Sequence, residues 1–192
     1  DSFDRGETYP MNFKSMIKPR HLSVDTTTLT PTYGRFIGEP FERGFGVTIG
    51  NSLRRILLSS IPGAAVVSVR IEGIAHEFVP KDGMREDISD LILNLKGLFI
   101  KMPQSISAAT VYLEAKGHGP VTAGKIETGG QIEIINPDHL IANLSENGVL
   151  QMELNIATSR GYVPAGEFKK DPDDIGLIAI DVSTWIPRDR LV

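Results

Sequence analysis

No cysteine occurs among the 192 residues. That excludes a disulfide framework and any thiolate metal site. It fits a reducing compartment, and the expected location is cytoplasmic. Long apolar runs are missing too. Nothing approaches the roughly 20 consecutive apolar residues that cross a bilayer, so no membrane span is expected. The N-terminus lacks the apolar centre of a signal peptide. Charge is nearly balanced, with 20 basic and 24 acidic side chains and a formal net charge of -4. The basic residues are scattered, and their densest group is Lys18, Arg20 and His21. That group is too small for a groove that tracks phosphates, so no direct nucleic-acid binding is expected.

Catalytic and metal motifs are absent as well. His21, His76, His118 and His139 lie far apart in sequence. His76-Glu77 has no second histidine four residues later, so no zinc-binding helix arises and no metal site is expected. There is no Gly-x-Ser-x-Gly elbow and no Gly-Lys-Ser/Thr phosphate loop. Gly44, Gly46 and Gly50 approach the dinucleotide fingerprint, but their spacing is wrong and no βαβ unit surrounds them. Asp171, Asp173 and Asp174 read as a solvated acidic loop. Nothing has the spacing of a carboxylate triad that holds magnesium. The chain is expected to carry no catalytic residues and no cofactor.

What is present is ordinary globular composition, 41% hydrophobic and 23% charged, long enough for one core or two small ones. Residues 1–10 are polar and patternless, and read as a leader or a disordered tail ahead of Met11. His21–Leu29 and Tyr33–Pro40, joined at Thr30-Pro31, read as a hairpin. Ile49, Leu53, Ile56 and Leu57 fall at helical spacing, with Phe45 and Val47 extending the stripe backwards. Pro62 ends that helix after Ser59-Ser60. From Ala65 the period becomes two: Val67, Val69 and Ile71 are expected inside, Ser68, Arg70 and Glu72 outside. Gly73 turns the chain and Ile74–Val79 is expected to return as a strand. A second helix is expected over Met84–Lys96, with Asp82 as N-cap and Gly97 as a left-handed C-cap. Short strands are expected at Leu98–Met102, Ala109–Ala115, Gln131–Ile135, Ile141–Leu144, Val149–Ala157 and Ile175–Val182. Their separators include Gly117-His118-Gly119-Pro120 and a hairpin turn at Asn147-Gly148. Helices are few and strands many, so the fold class is α+β.

The helix that begins near Phe45 holds Gly46, Gly50, the tandem Arg54-Arg55 and the apolar stripe together. It is followed in order by Pro62-Gly63-Ala64-Ala65-Val66, Ile71-Glu72-Gly73-Ile74-Ala75-His76-Glu77-Phe78, Glu86-Asp87-Ile88, Leu93-Asn94-Leu95-Lys96-Gly97-Leu98, Gly119-Pro120-Val121-Thr122-Ala123 and Arg160-Gly161-Tyr162-Val163-Pro164-Ala165. Over about Phe13 to Asp181 these blocks resemble the N-terminal domain of the bacterial RNA polymerase alpha-subunit family.

The resemblance implies a two-lobed layout. Residues 11–62 and 175–192 would form an α/β dimerisation domain, and 63–174 an inserted strand-rich domain. It implies a non-catalytic scaffold subunit of a nucleotidyltransferase, a homodimer that recruits the beta and beta-prime subunits for transcription. The dimer candidates are Phe45, Ile49, Leu53, Ile56 and Leu57, although the same stripe could face its own hairpin. Large-subunit contacts would fall on Arg54 and Arg55, with the stronger expectation on Arg55. Read without the resemblance, these are two solvated arginines. Further contacts would come from His76, Glu77, Phe78, Asp82, Gly83, Arg85, Glu86 and Asp87, otherwise a plain strand-to-helix connection, and from Arg160, Gly161 and Tyr162, otherwise an exposed loop. Asp171, Asp173 and Asp174 resemble an acidic loop that meets activators in some members. The family loop has small or hydroxyl residues where this chain has Val79-Pro80-Lys81. From Val182 the sequence departs from the family pattern, and the second dimer helix is missing from it. A truncated, assembly-defective alpha-like protein that sequesters a large subunit is therefore the alternative reading, and a small-molecule binding module a third.

Overall fold

In the computed structural model, the described residues are 17–30, 33–168 and 176–183. The elements follow as β1 (Leu22–Val24), β2 (Phe36–Gly38), α1 (Phe45–Ser60), β3 (Pro62–Ile71), α2 (Ile88–Lys96), β4 (Ile100–Lys101), β5 (Ala108–Lys116), β6 (Gly119–Thr122), β7 (Ile126–Glu127), β8 (Glu133–Ile134), β9 (Leu140–Leu144), β10 (Val149–Arg160), β11 (Tyr162–Val163), β12 (Leu177–Ala179) and β13 (Val182–Ser183). The mixture of few helices with many strands makes the fold α+β, as the patterning predicts. The chain divides into two compact units, residues 1–54 and 55–192. No helix among the described residues is long and apolar enough to cross a membrane.

In the first unit β1 pairs antiparallel with β2, Ser23 opposite Ile37. This is the expected hairpin, although Pro31 at its turn lies outside the described residues. Asp25 caps the turn region by accepting from the Thr27 hydroxyl at 2.6 Å and the Thr27 N–H at 3.1 Å. These bonds hold its carboxyl below the ordinary value. Helix α1 begins at Phe45, and it ends at Ser60, just ahead of Pro62. Ser52 and Ser59 turn their hydroxyls back onto the carbonyls of Thr48 and Arg55, at 2.9 and 2.7 Å, which satisfies them without outside partners.

The second unit is built on an antiparallel sheet of order β7-β5-β10-β3-β4-β8, with β12 also on β3. Strict alternation along β5 and β10 buries Val111, Leu113, Leu150, Met152, Leu154 and Ile156. Helix α2 lays Ile88, Leu91 and Leu95 on that core. The small β6–β9 pair contributes Val121, Ile141, Ala142 and Leu144. Each large aliphatic side chain buried in this way is worth about 1.5–3 kcal/mol.

Several expectations are corrected. Ser68 is buried, not wet. The β3–β10 register slips between Asn155 and Ile156, so that Val67 is an extra residue on β3. Such a bulge shifts the alternation by one. Val66, Val69 and Ile71 therefore join the core cluster, while Val67 is buried, as expected, but outside that cluster. Ser68 is satisfied by Asn155 Nδ2 at 3.2 Å, and Asn155 Oδ1 in turn accepts from the Thr110 hydroxyl at 2.8 Å.

Ile74–Val79 forms turns, not a strand. Buried Ile74 folds back on itself through its N–H to the Ile71 carbonyl at 3.1 Å. Helix α2 starts at Ile88 with Asp87, not Asp82, at its N-cap. Met84 instead makes a β-bridge with Leu144, so its place in the apolar stripe reflects a sheet contact. Gly97 is right-handed, φ -82°. Glycine is needed there because a Cβ would lie 2.8 Å from the His139 ring. Asn147-Gly148 is a turn, with Gly148 N–H bonded to the Ser145 carbonyl, but no hairpin: β9 pairs with β6, whereas β10 pairs with β3 and β5. Gly119-Pro120, expected as a separator, opens β6.

Candidate protein-docking surfaces

Residues 72–87 leave the far end of β3 and return to α2 without regular structure. Three anchors fix this excursion. Lys81 donates its ammonium to the Glu72 carbonyl at 2.8 Å. Gly83, with φ +81°, accepts from the Ser145 N–H at 2.9 Å, and its backbone presses so closely on Gly148 that a Cβ would lie 2.7 Å from that Cα. Only glycine combines that φ with that approach.

The third anchor is a carboxylate clamp. Glu86 accepts the Asn143 N–H and the Asn143 side-chain amide, both at 2.7 Å, while the Arg85 N–H donates to the Asn143 carbonyl at 3.0 Å. Partial burial works to raise the Glu86 pKa. The two bonds from Asn143 outweigh it together, with help from the Arg85 charge, and the carboxyl stays below its ordinary value. Asn143 is a residue that sequence reasoning missed. It sits 57 positions from Glu86, inside an apolar strand, and carries no local signal.

Between these anchors the expected contact residues stand outward. His76 and Phe78 are exposed, Phe78 at 80%, with ring centroids 6.2 Å apart. The Phe78 N–H donates to His76 Nδ1 at 3.3 Å. Asp82, Arg85 and Asp87 are exposed, and Glu77 is partly so. Phe78 thus projects from a loop whose own backbone is held at both ends.

A second group gathers at the opposite end of β3. Arg160 closes β10 opposite Pro62. Gly161, φ +63°, brings its Cα side to within 3.3 Å of Ser59 Cα for any added Cβ, so the end of α1 and the β10–β11 corner touch. Tyr162 pairs with Ser183 through the backbone and leaves its side chain 62% exposed. Of the remaining expected contacts, taken by themselves, Arg54 and Arg55 are both exposed on α1. The two groups are not one site. Strand β3 is ten residues long, so its ends lie about 30 Å apart.

Helix α1 buries none of its residues. Ile49, Leu53, Ile56 and Leu57 are exposed at 37%, 53%, 55% and 51%, and Phe45 is partly exposed. Asp171, Asp173 and Asp174 lie outside the described residues, as do residues 1–10.

An antiparallel sheet with one helix on its inner face, and with charged and aromatic residues held out on short anchored loops, makes an α+β domain. The sequence gives that class a family. Residues 69–185 match the family described as the RNA polymerase Rpb3/RpoA insert domain, and the chain belongs to it. It is 48% identical over 170 residues to the DNA-directed RNA polymerase subunit alpha of Geobacter metallireducens, covering 88% of this chain and 50% of that protein. It is 49% identical over 174 residues to the subunit of the same name from Clostridium acetobutylicum, covering 91% and 54%. The chain thus spans about half the length of the curated relatives it matches.

Proposed function

We propose that this chain is a non-catalytic assembly scaffold of bacterial DNA-dependent RNA polymerase, working in the cytoplasm. On this reading it dimerises through α1 and recruits the beta and beta-prime subunits through Arg54, Arg55, the 76–87 loop and Arg160–Tyr162. The dimerisation domain would be discontinuous, residues 11–62 with 175–192, around the strand-rich insert of 63–174. The observation that carries the reading is the near-half identity to two alpha subunits along about nine-tenths of the chain. The unburied apolar stripe of α1 supports the dimer, because such a patch is costly to leave in water. Arginine suits the large-subunit contact, since its fork makes paired bonds to carboxylate and carbonyl oxygens.

The test is reconstitution with purified beta subunit, alongside light scattering. Wild type is expected as a dimer that retains beta on a column. Arg55→Ala is expected to keep its fold and dimer mass and to lose beta, because Arg55 is exposed and its removal disturbs no core contact. Normal beta capture by Arg55→Ala refutes that role. A monomeric wild type that still binds beta refutes the dimer.

A further inference from the structure

The sheet has an outer face that none of the surfaces above uses. Alternation along β5 and β10 sends Tyr112, Glu114, Gln151 and Glu153 away from the core. In register, Tyr112 stands opposite Glu153 on one side and Glu127 on the other. The tyrosine is 54% exposed. It lies in an open groove of about 460 Å³ lined by four glutamates and a single arginine, with Leu113 and Met152 beneath. Glu114 is taken up by Lys116, at 2.5 Å. Among the described residues, neither Glu127 nor Glu153 forms an ion pair.

An aromatic ring with an unpaired carboxylate on each flank selects a flat cation. The ring face attracts a guanidinium by its quadrupole, and each carboxylate can take a pair of its N–H groups. A metal ion does not fit. Neighbouring strands are about 4.8 Å apart, so Glu127 and Glu153 stand on strands about 10 Å apart, with a ring between them. Phosphate is repelled by the four carboxylates. An ammonium lacks the planar fork that spans both flanks. We propose that this face docks a segment of a partner protein through an arginine laid over Tyr112 between Glu127 and Glu153. This does not depend on the scaffold reading above, because it uses neither α1 nor the loops.

The test uses the whole chain, labelled with nitrogen-15, and three short acetylated glycine-rich peptides that carry arginine, lysine or the neutral isostere citrulline. The arginine peptide is expected to shift the amide signals of Tyr112, Glu127 and Glu153 saturably in the millimolar range, with lysine weaker and citrulline silent. Tyr112→Thr, which keeps a strand-forming residue, and Glu153→Gln are each expected to weaken binding about threefold or more. Both side chains point away from the core, so retained signal dispersion checks the fold. Three results overturn the proposal: no saturable shift, a shift unaltered by either variant, or equal binding of citrulline. A fourth is the same shift appearing with protein concentration alone, which makes a second copy of this chain the occupant.

Discussion

Glu86 is the residue where structure, acidity and the exposed loop meet, and Glu86→Gln tests the connection. The variant keeps the shape and removes the charge. In the native protein two 2.7 Å bonds from Asn143 end on the carboxylate. Bonds to an ionised partner contribute about 1.5–3 kcal/mol each, against about 1 kcal/mol for neutral ones. The glutamine amide can still accept one bond, but its NH₂ then faces the Asn143 NH₂ unless Asn143 turns over. Because Glu86 is partly exposed, water replaces some of what is lost. The expected cost is about 1–2 kcal/mol at neutral pH, or about 2–8 °C in Tm for a domain of this size.

The pH dependence has a definite sign. The folded-state carboxyl titrates below its ordinary value of 4.5. Its stabilisation is therefore fully present above that value, and is lost as pH falls below it and through the lowered folded value. Urea unfolding of wild type and Glu86→Gln, at neutral pH and at about pH 3.5, reads this out. The gap between the two is expected to narrow at the lower pH. Amide exchange at Asn143 is expected to quicken in the variant at neutral pH. Equal stability at neutral pH, or a gap that persists unchanged in acid, refutes the clamp as what holds the loop.

Other substitutions probe neighbouring parts of the argument. Gly83→Ala places a Cβ 2.7 Å from the Gly148 Cα at φ +81° and is expected to cost about 2 kcal/mol or more, measured by thermal unfolding; a neutral result means the loop is not pinned there. Leu154→Ala, at 0% exposure in the central strand, is expected to cost about 2–5 kcal/mol in urea titration, and a loss under about 1 kcal/mol means the sheet core is not closed around it.

Much of the fold is legible because its period is clean. In β5 the run Ala109, Val111, Leu113 and Ala115 alternates with polar residues without a break, and the structure buries those four. Helix α1 reads equally well, since its stripe and its proline stop are both local. The failures share one cause. Ile74 and Met84 are apolar for reasons of tertiary contact, a folded-back turn and a bridge to Leu144, yet a periodicity reading assigns them to a strand and a helix. Ser68 keeps the outward alternation it shares with Arg70, but it is buried there against Asn155 of β10, a residue 87 positions away. Gly97 was explicable as a cap, whereas its reason is the ring of His139. Among the candidate docking residues, exposure followed from type for Arg54, Arg55 and Phe78. The placing of the 76–87 loop and of Arg160–Tyr162 at the two ends of one strand could not follow from order, because it depends on the Arg160–Pro62 register and the Lys81–Glu72 bond.

That grouping has a mechanical consequence. Strand β3 is bonded along one edge to β10 over nine residue pairs, and along the other to β4 and β12. A strand held on both edges and packed on a closed core resists bending, since interiors transmit strain rather than absorb it. The 76–87 loop and the Arg160–Tyr162 corner at its two ends are therefore held about 30 Å apart. The candidate contact side chains there stand exposed, while the backbone beneath them is pinned by Glu86 and Gly83 at one end and Gly161 at the other. On the scaffold reading this division is what assembly requires: contacts that adapt locally, carried on a beam that sets the distance between them. It also separates two kinds of damage. On that same proposal, loss of an exposed arginine would remove one partner and leave the spacing intact, whereas loss of the clamp or of the glycine contact would loosen one end of the beam and weaken every contact proposed there.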